Sequence, residues 1–202
     1  MVIPLKFLIL VVVVACLVVA VWIVIHEGRV PQNQEEVLTR MIELQKQGRH
    51  DKAVQVVQTW MTDTRRDISR DDFLYQQIAM VYIARAYKKP RSRDESVHLA
   101  EMNLEKALGI INKNKSEDLD VMLFEIGGAY ELLGDMSNKD KCRLYEIARQ
   151  TFERQLPLIK GDSYTAYGHT TPLEPVRRDV RKHLDAVSGK SSRASCQAHS
   201  EQ

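Results

Sequence analysis

Apolar positions follow two regimes along this chain. From Phe7 to Ile25 they run unbroken for 19 residues, FLILVVVVACLVVAVWIVI, with no charge or polar amide among them. Beyond a short polar connector, Val30-Pro31-Gln32-Asn33-Gln34, they recur at three- and four-residue intervals, and no stretch alternates with period two. The second regime predicts helices at 34–48, 50–64, 71–88, 93–112, 117–136, 139–156 and 173–187. Start signals agree: Ser69 precedes Asp72 at capping-box spacing, Ser116 precedes two acids, and Thr171 precedes Pro172.

The first regime predicts a membrane helix. As a helix, 19 residues span roughly 29 Å, about the hydrocarbon thickness of a bilayer, and a soluble helix would need the polar face this one lacks. Trp22 sits near one end, where an indole suits the headgroup level. The run is longer than the apolar region of a cleaved signal, and His26-Glu27-Gly28-Arg29 offers no small-residue cleavage site. Val13-Val14-Ala15-Cys16 only loosely matches a lipoprotein signal, because cleavage there would leave an apolar stretch at the new terminus. Basic residues on the two flanks nearly balance. The very short N-terminal tail favours an uncleaved anchor with the domain on the non-cytoplasmic side, as in a bacterial inner membrane.

Within the helical part the pattern repeats. Ile78-Ala79-x-x-Tyr82-x-x-x-Ala86 recurs as Ile126-Gly127-x-x-Tyr130-x-x-x-Gly134, an offset of 48 residues. The same offset relates Ala100 to Ala148 and Leu104 to Phe152. An earlier pair has Leu44 and Gly48 followed by Ala53, Val57 and Trp60, with a tighter turn. The small residue (Ala79, Gly127) lets a neighbouring helix approach, and the tyrosine three residues on fills the space beyond. A second small residue on the returning helix (Ala53, Ala100, Ala148) receives the first helix. The bulkier residue four later (Val57, Leu104, Phe152) packs beneath it.

These residues, with Ala107, resemble the tetratricopeptide repeat family across roughly residues 35–157. The spacing departs from that family: Ala86 to Ala100 and Gly134 to Ala148 are each 14 apart, against 5 from Gly48 to Ala53. The extra residues imply longer helices or an excursion between them. The resulting expectation is an all-α chain of an anchor (1–26), a linker (27–34), about three antiparallel helical hairpins in a solenoid (35–157), a loop with a C-terminal capping helix (158–187) and a disordered tail (188–202).

The resemblance implies a concave groove lined by the first helix of each pair, and hence protein partners. By register the groove residues are Leu38, Ile42, Phe73, Gln76, Met80, Ile83, Val121, Phe124, Glu131 and Leu132. The set is mainly apolar, so it suits a peptide or helix with an apolar face rather than an acidic chain end. Residues 173–187 carry Val176, Val180, Leu184 and Val187 as one stripe, with Arg177, Arg178, Arg181 and Lys182 elsewhere. That is the pattern of a cap with a polar outer face; a basic surface for anionic lipid or an acidic partner is the alternative. If this helix folds into the concave side, part of the groove becomes core.

Composition and charge narrow the function. The chain carries 29 Lys and Arg against 27 Asp and Glu, a net charge of +2, which gives no electrostatic footprint for nucleic acid. Cys16, Cys142 and Cys196 fall in unlike settings, so no disulfide framework is implied. His26, His50, His98, His169, His183 and His199 are scattered without metal-ligand spacing. There is no phosphate loop, nucleophile elbow or dinucleotide fingerprint, and acid pairs such as Asp71-Asp72 sit at predicted helix starts. The loop containing Asp162, Tyr164, Tyr167 and His169 is the one chemically mixed segment, better suited to packing than to a site. The expectation is a non-enzymatic, membrane-anchored adaptor or scaffold without metal or cofactor. A self-associating, homo-oligomeric subunit and a chaperone-like accessory of a translocation or assembly machine are the alternatives.

Overall fold

The computed structural model describes residues 31, 33–63, 71–113, 119–166, 169–194 and 196. The expected membrane helix at 7–25 lies outside the described residues. Among those described, no helix is long and apolar enough to cross a membrane.

The described chain is helical apart from one small hairpin. Its helices are α1 (Gln34–Lys46), α2 (His50–Asp63), α3 (Asp72–Lys88), α4 (Arg93–Lys113), α5 (Leu119–Met136), α6 (Lys141–Gln155) and α7 (Leu173–Arg193). Local chemistry sets several boundaries. Asn33 caps α1, its Oδ1 accepting the Glu36 N–H at 2.8 Å. Asp71 caps α3 by accepting the Leu74 N–H at 2.9 Å, so Asp71 starts this helix in place of the expected Ser69, which lies outside the described residues. At α7 the cap position is Pro172 itself, and the Leu173 N–H instead donates to the Asp162 carbonyl at 2.9 Å.

Helices pair antiparallel along the chain. From Tyr75 to Arg85 on α3, the partners on α4 run backward, from Lys106 over the Tyr75 ring to Glu95 beside Arg85. On α5, Gly127 meets Phe152 and Gly134 meets Tyr145 on α6, again in reverse order. Successive pairs then stack. Gln58 of α2 donates to the Tyr82 hydroxyl at 3.3 Å, and Asp51 of α2 pairs with Arg85 at 2.8 Å and with Lys89. Glu101 and Asn112 of α4 bond Arg143 and Arg154 of α6, so the second helices of the last two pairs run parallel.

The expected small residues are where close packing occurs. Ala53, Ala79, Ala86, Ala100, Ala107 and Ala148 are fully buried, as are Leu104, Phe152 and Tyr130. A methyl group added at Gly127 would lie 2.7 Å from the Phe152 ring, and one at Gly134 would overlap the Tyr145 ring. Neither glycine is needed for backbone freedom; both are needed because an aromatic ring occupies the space of a side chain. Tyr82 and Tyr130 sit in matching environments, each buried beneath the second helix of the preceding pair: Gln58 of α2 for Tyr82, Glu101 and Glu105 of α4 for Tyr130.

Four expectations need correction. Gly48 is not a helix-packing position like Ala86 and Gly134; it is the turn itself, at φ 71°, with open space around it. The extra residues in the later pairs therefore become one more turn at the start of α4 and α6, plus a 3-10 turn at Pro90–Ser92. Residues 163–172 are not a plain loop: Ser163–Ala166 (β1) and His169–Pro172 (β2) pair antiparallel, Tyr164 opposite Thr171 and Ala166 opposite His169. Tyr167 lies outside the described residues.

The remaining two corrections concern the C-terminus. α7 continues to Arg193, through the start of the expected disordered tail, because its contacts do not stop at Val187. Lys190 reaches Glu131 and Asp135 of α5. Cys196, just past the helix, forms a disulfide with Cys142 at the start of α6. α7 runs antiparallel to α6, which brings two cysteines 54 positions apart in sequence together. Its stripe faces inward as expected, with Val180 and Val187 buried and Val176 and Leu184 partly buried. Arg178, Arg181 and Lys182 are exposed, and Arg177 donates to the carbonyls of Ile159 and Gly161.

Candidate functional site

A groove of about 520 Å³ opens between α3 and α5, with α7 forming its far wall. Each wall follows from helical periodicity. On α3, Gln76 and Met80 are one turn apart and share a face. On α5, Phe124, Gly128, Glu131, Leu132 and Asp135 fall on one face over three turns. Gly128 and Ala129 keep the middle of that face shallow, and the space above Gly128 is empty. From α7, His183 and Lys190, two turns apart, border the groove.

Its apolar surface is unusual in being exposed. Met80 is 36% and Leu132 45% exposed, whereas most large apolar side chains of these helices are buried. Phe124, partly buried, contacts Phe152 edge-on at 6.0 Å and His183 edge-on at 5.3 Å. The His183 ring also stacks on Phe152 at 5.3 Å. This aromatic trio anchors α7 against α5 and α6 and fixes one end of the groove.

The polar groups divide between the two ends. Near α7, Glu131 accepts from Lys190 and meets His183 Nδ1, both at 2.8 Å, while Asp135 accepts from Lys190 at 2.6 Å and from the Tyr145 hydroxyl at 2.7 Å. Burial by itself would lower the Lys190 ammonium's proton affinity. The hydrogen bonds and charges of Asp135 and Glu131 outweigh that, so it lies above an ordinary lysine. Burial raises the Tyr145 phenol well above its usual value, and the bond to Asp135 adds to the shift. Near α3, Gln76 is 1% exposed and donates through Nε2 to Glu125, while its Oε1 has no hydrogen-bond partner.

The ten groove residues expected from the sequence divide accordingly. Gln76, Met80, Phe124, Glu131 and Leu132 come together in this groove. Ile42 and Phe73 are exposed on α1 and α3 but lie outside it, and Leu38 is partly buried against the core. Ile83, next along the same side of α3, is core at 6% exposure and does not line the groove. Glu131 borders the groove but is already paired with His183 and Lys190 of α7. Val121 is on α5, and its side chain lies outside the described residues.

Sequence reasoning missed Glu125, Gly128, Asp135, His183 and Lys190. Gly128 and Asp135 continue the Phe124 face at helical spacing and were legible. His183 and Lys190 flank the α7 stripe, but only the packed position of α7 brings them to α5. Among the described residues, no three His, Cys, Asp or Glu side chains gather as a metal site. Comparison with known protein families, curated proteins and solved structures gives no match.

Proposed function

We propose that this protein is a membrane-tethered adaptor that docks a segment of another protein in the α3–α5 groove. The observation that carries the reading is an open, mainly apolar groove built on the first helices of stacked antiparallel pairs. Exposed Met80 and Leu132 in such a setting mark surface kept for a partner. The tetratricopeptide resemblance of the sequence supports the same reading, since that family uses this face for peptides.

In this reading the apolar run at 7–25 is the anchor, and the protein recruits rather than catalyses. The Cys142–Cys196 disulfide supports a domain on the non-cytoplasmic side, because disulfides persist in oxidising compartments. The test is affinity capture with the full chain in detergent, wild type against a Met80→Glu/Leu132→Glu variant. Both positions are exposed, so the variant is expected to fold while losing a specific set of partners. Identical partners from both chains would rule out the groove.

A further inference from the structure

We infer that the segment docked in this groove presents a basic side chain, Lys or Arg, next to an apolar one. The inference rests on the docking reading above and gives the partner its chemistry.

The groove is electrically lopsided. At its α7 end the carboxylates of Glu131 and Asp135 are already met by Lys190 and His183. At its α3 end, among the described residues, Glu125 bonds the neutral Gln76 amide and pairs with no cation. Beside it Gln76 Oε1, on a residue 1% exposed, has no partner. Both groups are acceptors, and the Gln76 Nε2 donor beside them is already given to Glu125. A partner ammonium or guanidinium would form charge-assisted hydrogen bonds there, whereas a carboxylate would meet like charge.

The apolar floor fixes the rest. Met80 and Leu132 flank the space, so the aliphatic stem of Lys or Arg can lie along apolar surface while its head reaches Glu125. A neighbouring apolar side chain then fills the shallow stretch over Gly128. A small free amine would satisfy Glu125 but leave that apolar surface in water, which favours a polypeptide segment as the occupant.

The experiment is selection of random phage-displayed peptides on the full chain in lipid nanodiscs. Selected peptides are then measured for affinity to wild type, Glu125→Gln, Glu125→Lys and Leu132→Glu chains. Glu125→Gln keeps an acceptor for Gln76, so it removes charge without disturbing the fold. The expected result is peptides with a basic residue adjacent to an apolar one. Their affinity should fall about fivefold in Glu125→Gln and roughly tenfold or more in Glu125→Lys, and be lost in Leu132→Glu. Peptides that depend on Leu132 but lack a basic residue, or ignore Glu125, would overturn the inference and leave the docking reading standing. Selection that yields no Leu132-dependent peptide would overturn both.

Discussion

Gly134 on α5 and Gly109 on α4 look alike in sequence but are subject to opposite forces. At Gly134 an added methyl group would overlap the Tyr145 ring, and that ring cannot swing aside because its hydroxyl is bonded to Asp135. Gly134→Ala is therefore expected to destabilise by about 1–2 kcal/mol, the overpacking cost less the gain in helix propensity. Gly109 on α4 has nothing within 4 Å of such a group, so Gly109→Ala should stabilise by up to about 1 kcal/mol. Urea denaturation of both variants checks the pair. The tyrosines give a pH signature. Burial, reinforced by Glu105 and Glu101, raises the Tyr130 phenol above its ordinary value of 10.0, and Tyr145 shifts the same way. A raised folded-state value means this stability is fully present below pH 10 and lost as pH climbs beyond it. Melting temperature should therefore fall above that pH, and less steeply in Tyr130→Phe, which removes a hydroxyl with no hydrogen-bond partner. The positions of the small residues and tyrosines were legible because their spacing reflects contact between neighbouring helices. Gly48 was misread because a turn glycine and a packing glycine carry the same letter.

At the scale of elements, six of the seven described helices match the sequence reading to within about two residues, because their apolar periodicity is strong. The terminal helix was cut short at Val187, where the apolar stripe ends. What carries it onward is a lysine paired with two acids and a disulfide beyond the helix end, neither of which has a period. The hairpin at 163–172 was missed for a related reason: strands of four residues are too short to display alternation. The disulfide gives this element its prediction. It ties the end of α7 to the start of α6 across 54 positions, so Cys142→Ser with Cys196→Ser should cost ~2–4 kcal/mol. Thermal melts with and without reductant should show that loss in the wild type and no further loss in the double variant.

For the molecule as a whole, the all-α architecture was legible and the extent of the groove was not. Periodicity tells which face of a helix is apolar, but not which part of that face a terminal helix will cover. α7 takes the Glu131 end of the α3–α5 groove and leaves Met80, Leu132 and the Glu125 corner open. The adaptor reading thus concerns a short groove on the last two pairs rather than a channel along all three. The most direct measurement is photo-crosslinking in native membranes, with a photoreactive phenylalanine analogue at Leu132 or at Tyr87, which is 72% exposed and does not line the groove. A protein adduct formed from position 132 and not from 87 is the predicted result. Adducts from 87 alone, or none from 132, would contradict a docking groove between α3 and α5.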